Sequence, residues 1–262
     1  MADSNSKATE EQSVAEYYTQ EFKPREYLDK HFSAFKGEDD KECVQLFIMD
    51  HLHQTFGSGI FQGKRLLDIG TGPSVLSVLS ASKYFPDITC SDYLPVCREE
   101  LQKWVDGDPE AFDWGAYFRY ISKLEGNSSS PDEIAARLRK AIKSVVHCDV
   151  KQSNPLCTES VDPFDVVVSS FCLELACDSP DQYRAGVGNM ASLVKPGGGL
   201  VLLGDFKNNI IVETEKFADF ELNEAFLRDA LVSHGCTDIE IKQVSMVDEW
   251  PCEFFYATAR KI

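Results

Sequence analysis

Four acidic residues stand where predicted β-strands end: Asp92, Asp149, Glu174 and Asp205. Each follows an apolar run typical of a buried strand, and the carboxyl ends of parallel strands meet at one edge of a sheet. Carboxylates gathered there repel one another unless a cation or hydrogen-bond donors compensate their charge. Each acid alone could be a helix cap or a solvated loop residue, but together they predict a ligand site at this edge.

A glycine turn opens the same edge. The apolar run 66–69 leads into Gly70 and Gly72, which permit unusual dihedral angles and a close approach of the backbone to a ligand. A dinucleotide fingerprint would need a third glycine where Val75 stands, and Pro73 removes an N–H that a phosphate cradle would use. The turn therefore suits a nucleoside ligand without phosphates and disfavours a nucleotide-dependent oxidoreductase.

The next predicted strand, residues 87–93, ends in a carboxylate at Asp92. A carboxylate at this place can accept both hydrogen bonds of a ribose diol. The glycine turn and Asp92 could also have a purely structural role.

The elements that must position these residues alternate between strand and helix from Lys64 onward, which predicts an α/β fold with a parallel sheet. Ser130, Pro131 and Glu133 give a strong helix start. The predicted strands are 66–69, 87–93, 145–150, 164–173 and 200–205, with a C-terminal hairpin of 237–244 and 254–259; the predicted helices include 39–56, 74–84, 94–105, 181–194 and 223–234.

Residues ahead of the first strand predict a cap. Residues 1–13 are polar and acidic, so disorder is expected there. Residues 17–28 are rich in aromatic side chains and either pack on the main domain or close over a ligand as a lid. We expect one domain over 14–262, with the cap at 14–60 and the core at 61–262.

Composition restricts the class of protein. The chain carries 43 acidic and 26 basic residues, a net charge of −17, so nucleic acid and anionic membranes are not expected partners. No apolar run reaches the length of a membrane span, and no signal peptide is apparent at the start. Nine cysteines without a C-x-x-C pair indicate a reducing compartment. A cytoplasmic monomer is the expectation.

Other reactive side chains give weaker indications of a functional site. Cys172 lies close to Glu174 and could be a nucleophile, but no histidine partner is evident and a buried thiol is the simpler interpretation. His51 and His53 are two residues apart on a predicted helix and face different ways, so no metal site is expected from them.

Several longer motifs resemble those of the small-molecule N-methyltransferases, which act on nicotinamide, phenylethanolamines, indolethylamines and related amines. The resemblance runs from about residue 17 to the end of the chain. It rests on F-x-P-R-x-Y-L at 22–28, L-D-I-G-T-G-P at 67–73, E-L-Q-K-W at 100–104, P-E-A-F-D-W at 109–114, L-E-G-N at 124–127, C-D-V at 148–150 and L-V-K-P-G-G at 193–198.

The resemblance implies a Rossmann-like class I methyltransferase, with a seven-stranded, mostly parallel sheet, an antiparallel C-terminal hairpin and an N-terminal helical cap. It also implies S-adenosyl-L-methionine as cofactor, S-adenosyl-L-homocysteine as product and a small amine as substrate. The implied cofactor contacts are Tyr18 and Tyr27 from the cap, Gly70, Thr71 and Gly72 beside the methionine portion with Ser170 close by, Asp92, Tyr93 and Cys97 at the ribose and adenine, and Asp149 and Val150 at the adenine.

On the substrate side, the resemblance implies that Glu174 and Asp205 act on the amine. The further implied substrate contacts are Tyr27, His31, Phe171 and Asp248. Three positions depart from the family pattern, with Phe32 and Leu76 where tyrosine is frequent and Cys97 where asparagine is frequent. Residues 206–214 form a shorter segment than in the nicotinamide enzymes and lack their tyrosine and serine residues, which favours an arylalkylamine over nicotinamide.

The expected reaction is an in-line displacement in which the substrate nitrogen attacks the sulfonium methyl group. An alkylamine arrives protonated, and Glu174 and Asp205 could anchor it and take its proton directly or through water. A pyridine nitrogen needs no base, so with nicotinamide the acids would only orient the substrate. Two alternatives stay open: a nicotinamide N-methyltransferase, and a binding module that holds the cofactor without catalysis.

Overall fold

The computed structural model describes residues 22–37, 43–158, 162–206, 211–212, 215–216, 222–246 and 252–262. The strands are β1 Arg65–Ile69, β2 Asp87–Asp92, β3 Ile142–His147, β4 Phe164–Ser170, β5 Val194–Asp205, β6 Ile211–Val212, β7 Glu215–Lys216, β8 Cys236–Met246 and β9 Cys252–Lys261. The helices are α1 Pro24–Phe32, α2 Val44–Gly57, α3 Pro95–Asp106, α4 Gly115–Leu124, α5 Pro131–Ala141, α6 Leu173–Ala176, α7 Pro180–Ser192 and α8 Glu224–Ser233.

Seven strands form one sheet in the order β3-β2-β1-β4-β5-β9-β8, and β6 and β7 form a separate two-stranded ladder. The first five strands pair in parallel, while β9 runs antiparallel to both β5 and β8. Asp205, the last residue of β5, stands opposite Phe254 of β9. The predicted α/β class, seven-stranded sheet and C-terminal hairpin are confirmed.

The sheet separates two apolar layers because successive side chains of a strand point to opposite faces. Leu66, Val166 and Val201 join the core that includes α2, α4 and α5. Leu67 and Leu200 join the core that includes α7 and α8 on the other face. Helices therefore cover both faces and leave the carboxyl ends of the parallel strands for a site.

The helix predicted over 74–84 is wrong. Two 3-10 turns, Leu76–Val78 and Ala81–Lys83, occupy this segment. Serine side chains take over local backbone groups: Ser74 Oγ accepts from the Leu76 N–H at 3.0 Å, and Ser82 Oγ donates to the Leu79 carbonyl at 3.3 Å. Such bonds compete with the helical pattern.

The start of α5 is as predicted. The Ser130 side chain accepts from the Glu133 N–H, and the Glu133 carboxylate accepts from the Ser130 N–H in return. The helix ends at Ala141, since Ile142 is already extended and begins β3. β3 correspondingly ends at His147, so Asp149 lies just beyond the strand.

β4 is shorter than predicted and ends at Ser170. Phe171 then adopts a φ of +53°, which turns the chain into the short helix α6. Glu174 therefore lies on a helix instead of directly at the end of a strand. Within the described ranges, no helix combines the length and apolar character that crossing a membrane requires.

Candidate active site

The turn between β1 and the 3-10 segment depends on its two glycines, whose φ values are +72° at Gly70 and +61° at Gly72. A Cβ atom at Gly70 would lie 2.5 Å from both Cβ and Sγ of Cys172. A Cβ atom at Gly72 would meet no atom of the described residues within 4 Å. Gly70 is thus packed against the protein, whereas Gly72 faces space that a ligand could occupy.

Asp92, at the end of β2, joins this turn to α3. Its Oδ2 accepts from the Gly72 N–H and its Oδ1 from the Leu94 N–H, each at 2.8 Å. Burial raises the pKa of Asp92, while these two bonds and the Arg98 guanidinium oppose the rise. A carboxylate has about four acceptor positions, so Asp92 can still accept hydrogen bonds from a ribose diol.

Asp68 is a buried acid on β1, two residues before Gly70 of the turn. Its side chain is inaccessible to solvent, and neither carboxylate oxygen has a hydrogen-bond partner within the described residues. Burial raises its pKa to about 7, and the nearby Thr71 hydroxyl only partly offsets this. An uncompensated carboxylate beside the glycine turn suits a ligand that brings positive charge, as S-adenosylmethionine does.

Asp68→Asn should stabilise the ligand-free protein in a pH-dependent way. An acid whose pKa is higher in the folded state binds more protons when folded, so wild-type stability falls as pH rises from about 4 to 7. The asparagine variant lacks this loss, and its gain above pH 7 has an upper bound of about 4 kcal/mol. Urea unfolding at pH 4 and pH 8 measures the difference.

Asp165→Asn provides a control of opposite sign. Partial burial raises the pKa of Asp165, but hydrogen bonds from Lys195 and from the backbone of Arg65 and Lys64 outweigh it and lower the pKa overall. This variant should therefore lose stability at neutral pH and lose less in acid. An Asp68→Asn gain that is equal at both pH values would contradict the expected charge effect.

The predicted adenine side contains one open aromatic surface. Tyr93 is half-exposed, and its ring centroid lies 5.5 Å from that of His147. Cys97 is buried on α3. Burial raises the pKa of its thiol, and the nearby negative charge of Asp92 adds to the rise. These residues lie around the end of β2.

Asp149 and Val150 occupy a loop that is already bonded internally. The Asp149 carboxylate accepts from the Lys151 N–H at 3.0 Å and from the Gln152 side chain at 3.1 Å. The Val150 carbonyl accepts from Asn189 at 2.8 Å. The Asp149 carboxylate thus fixes the shape of its own loop, whatever it contributes to a ligand.

The cap approaches this region through α1. The Tyr27 ring packs against Phe22, His31 and Phe32, with centroid distances of 5.3, 4.8 and 5.8 Å. Burial, with a smaller contribution from Cys97, raises the pKa of Tyr27 to about 12. His31 is exposed beside Tyr27.

An ion pair ties α1 to α3. Arg25 Nη1 donates to Glu100 Oε1 at 3.0 Å, and Glu100 is almost fully buried. Two predicted contacts, Tyr18 of the cap and Asp248 of the substrate side, lie outside the described residues.

The two acids assigned to the amine are both buried, with exposures of 2% for Glu174 and 1% for Asp205. Glu174 Oε1 accepts from the Tyr183 hydroxyl at 2.9 Å, and Asp205 Oδ1 accepts from the Glu253 N–H at 3.2 Å. Burial raises the pKa of Glu174 to about 8, and the negative charge of Asp205 adds to the rise. The acids thus share one desolvated environment that a cation would stabilise.

The chain between β4 and α6 carries the remaining predicted contacts. Ser170 Oγ accepts from Ser77 Oγ at 3.0 Å. The Phe171 ring meets Phe254 of β9 edge to face, with centroids 5.5 Å apart. Phe171 is only partly buried and is held in a backbone conformation that is uncommon for a bulky residue. Such strain concentrates at functional sites.

The four acids therefore form two groups at the predicted edge. Asp92 and Asp149 both act electrostatically on Cys148, while Asp205 acts electrostatically on Glu174. Sequence reasoning missed Tyr183 and Asp68 as parts of this region. Asp68 had a visible signal, an acid inside an apolar strand, whereas Tyr183 looks like an ordinary core aromatic of a helix.

Comparison with known proteins gives a consistent result. A sequence model of the NNMT/PNMT/TEMT family matches residues 10–258. Indolethylamine N-methyltransferase of Oryctolagus cuniculus is 39% identical over 224 residues, 85% of each chain. Nicotinamide N-methyltransferase of Homo sapiens is 34% identical over 84% of each chain, and phenylethanolamine N-methyltransferase of Macaca mulatta is 36% identical over 85% of this chain and 80% of its own.

Solved structures agree in fold. Magnesium protoporphyrin IX methyltransferase from Synechocystis PCC 6803, solved with bound SAM, superposes with a TM-score of 0.58 over 95% of each chain. The sequence identity of 13% limits this likeness to the fold. The Rossmann-like methyltransferase architecture is therefore confirmed.

Proposed function

This chain belongs to the NNMT/PNMT/TEMT family, and from that premise we propose that it transfers a methyl group from S-adenosylmethionine to the nitrogen of an arylalkylamine. Named relatives methylate amines of three kinds, so the family alone leaves the substrate open. The choice of an arylalkylamine as substrate rests on one observation, the buried pair of Glu174 and Asp205.

A cationic substrate suits this pair better than a neutral one. Both carboxylates are nearly inaccessible to solvent, and the negative charge of Asp205 adds to the rise that burial causes in the pKa of Glu174. An alkylammonium group compensates that charge, while the neutral pyridine ring of nicotinamide does not. Phe171 and Phe254 supply an aromatic surface next to the acids, which fits the aryl portion of such an amine.

The chain's own residues have to position and deprotonate the substrate nitrogen. Bound S-adenosylmethionine supplies an electrophilic methyl group, and the protein has to hold an unprotonated nitrogen in line with it. Held geometry of this kind accounts for about 7–11 kcal/mol of a reaction barrier. Glu174 and Asp205 hold the nitrogen, and one of them receives its proton directly or through water.

The raised pKa of Glu174 eases a conflict in this scheme. A carboxylate that stabilises an ammonium ion also makes the loss of its proton harder. Burial brings the pKa of Glu174 to about 8, closer to that of an alkylamine than an ordinary carboxyl group comes. Proton transfer between groups of similar pKa near the working pH is the favourable case for general base catalysis.

The cofactor is proposed to lie against the glycine turn. The open side of Gly72, the free acceptor positions of Asp92 and the uncompensated charge of Asp68 support this placement. Thr71 and Ser170 would face the methionine portion; Tyr93, Cys97, Asp149 and Val150 would surround the ribose and adenine, with Tyr27 above from the cap.

We further propose a cytoplasmic monomer that binds no nucleic acid, with a single domain over 14–262 and a cap at 14–60. The net charge of −17 supports the lack of nucleic-acid binding. All eight cysteines whose side chains the structure describes are free thiols, which supports a reducing compartment.

The test is methyl transfer from labelled S-adenosylmethionine to phenylethylamine, tryptamine and nicotinamide, with phenylethanol as a control that lacks nitrogen. We expect transfer to the two arylalkylamines with at least tenfold higher kcat/KM than to nicotinamide, and none to phenylethanol. Cofactor binding is measured separately by calorimetry.

Each other outcome identifies a different function. Preference for nicotinamide would make the protein a pyridine N-methyltransferase. Cofactor binding without transfer to any amine would make it a binding module, and the arylalkylamine proposal would be wrong in both cases.

A further inference from the structure

Tyr183 reaches Glu174 from a different helix. It lies on α7, whereas Glu174 lies on α6, and its hydroxyl donates to Glu174 Oε1 at 2.9 Å. The tyrosine is 1% exposed, and its ring packs against Phe226 of α8 with centroids 6.1 Å apart. The donor is therefore held on two sides before any ligand arrives.

The surroundings of Glu174 make this bond distinctive. The described groups that face its carboxylate are Tyr183 from α7, Asp205 from β5, and the thiols of Cys172 and Cys177 that flank α6. Hydrogen bonds come from Tyr183 and from the backbone N–H groups of Glu174 and Asp205. Among these donors, only the phenol can be removed by substitution without a change in the backbone.

The bond also distinguishes the two oxygens of Glu174. Oε1 accepts from Tyr183, and it also lies against the Cα of Gly204, where a Cβ atom would overlap with it. Oε1 is thus enclosed by the protein. An amine would therefore have to approach the other oxygen, Oε2.

We propose that Tyr183 is a positioning residue that presents Glu174 Oε2 to the substrate nitrogen and sets the pH at which this carboxylate becomes charged. The proposal rests on the proposed amine methylation, since it assigns Glu174 to the amine. A hydrogen bond donated to a carboxylate favours its charged form. Burial beside Glu174 raises the pKa of Tyr183 itself far above its ordinary value, so the phenol keeps its proton and stays a donor.

The first test is Tyr183→Phe, which removes the hydroxyl and keeps the ring. The pH titration of Glu174 is followed by infrared difference spectroscopy on the protein without cofactor or amine, and Glu174→Gln identifies the carboxyl band. We expect the midpoint to rise by about one pH unit, the effect of losing one charge-assisted hydrogen bond. The acid limb of the kcat/KM profile for an arylalkylamine should move by the same amount, with kcat recovered at high pH.

Tyr256→Phe is the matched control. Tyr256 is also buried and its hydroxyl donates to Thr55, but it belongs to β9 and does not bond Glu174. This variant should lose stability without moving the Glu174 midpoint. If Tyr183→Phe does not fold, 3,5-difluorotyrosine at position 183 keeps the shape of the side chain and strengthens its donor, so the midpoint should fall.

An unchanged midpoint in the folded variant would overturn the proposal, as would an equal shift in Tyr256→Phe. The titration needs no turnover and so separates two failures. A shifted midpoint in a protein that methylates no amine would refute the proposed function and leave the pairing of Tyr183 and Glu174 established.

Discussion

Glu174→Gln and Asp205→Asn should each lower kcat/KM for an arylalkylamine by about 10²- to 10⁴-fold, the range in which a positioned acid or base contributes to catalysis. In the proposed reaction, each variant loses one charge that would hold the ammonium group and one acceptor for its proton. Both side chains keep their size, so the packing of this buried region is retained.

The loss should depend on the substrate. Nicotinamide carries no ammonium group and needs no base, so any basal transfer to it should change much less than transfer to phenylethylamine. Steady-state kinetics with both substrates from pH 6 to pH 9.5 measure this difference. A loss of equal size for the two substrates would contradict the role in deprotonation.

Asp165→Asn is the matched activity control for this pair. Asp165 lies at the start of β4, at the end of the strand away from Ser170, where it pairs with Lys195 at 2.8 Å. Its substitution should leave kcat/KM within about twofold, because surface ion pairs contribute little outside local stability. Thermal unfolding of all three variants separates loss of function from loss of fold.

Gly70→Ala should disrupt the cofactor site through the fold itself. The new methyl group would lie 2.5 Å from Cys172, in a residue whose φ is +72°. Left-handed backbone costs an alanine about 1–2 kcal/mol, and overpacking adds about 1–3 kcal/mol. We expect a loss of about 2–5 kcal/mol in the free energy of unfolding and loss of measurable S-adenosylmethionine binding.

Gly72→Ala separates backbone strain from overpacking as causes of the expected losses. Its φ is +61°, but its methyl group would enter open space, so stability should fall by only about 1–2 kcal/mol. Cofactor affinity should still drop at least tenfold, because the methyl group occupies the side proposed for the ligand. Calorimetric titration and urea unfolding of both variants check this contrast.

A compensating substitution tests how much of the effect of Gly70→Ala is due to steric overlap with Cys172. Gly70→Ala combined with Cys172→Gly removes both atoms that the new methyl group would strike. The double variant should regain most of the stability lost to overpacking and none of that lost to backbone strain. No recovery would show that backbone strain alone explains the effect of Gly70→Ala.

The local parts of the site were predictable from sequence. A strand, a glycine turn and a second strand ending in Asp92 are close in the chain, and residue types fix their geometry. The structure places the Asp92 carboxylate on the Gly72 N–H, so the turn and the acid meet as expected. The parallel sheet followed from the alternation of strand and helix, and the hairpin from the two alternating segments near the end of the chain.

The parts that sequence did not predict depend on contacts between distant elements. The position of Glu174 depends on the left-handed conformation of Phe171, which no propensity favours. Its pairing with Tyr183 depends on how α6 and α7 pack. Asp149 was expected to face the ligand, yet both of its oxygens bond its own loop, and apolar spacing alone could not reveal that competition.

The position of β9 also matters while the chain is being synthesised. β9 is the last strand in sequence but lies between β5 and β8, and Glu253 donates to Asp205 across 48 residues. On the ribosome, β1 to β5 emerge first, so the nascent chain can assemble the glycine turn and Asp92 while β5 still lacks its partner. The proposed cofactor side can therefore form before the proposed amine side, where Asp205 gains its bond from Glu253 only when the final hairpin pairs with β5.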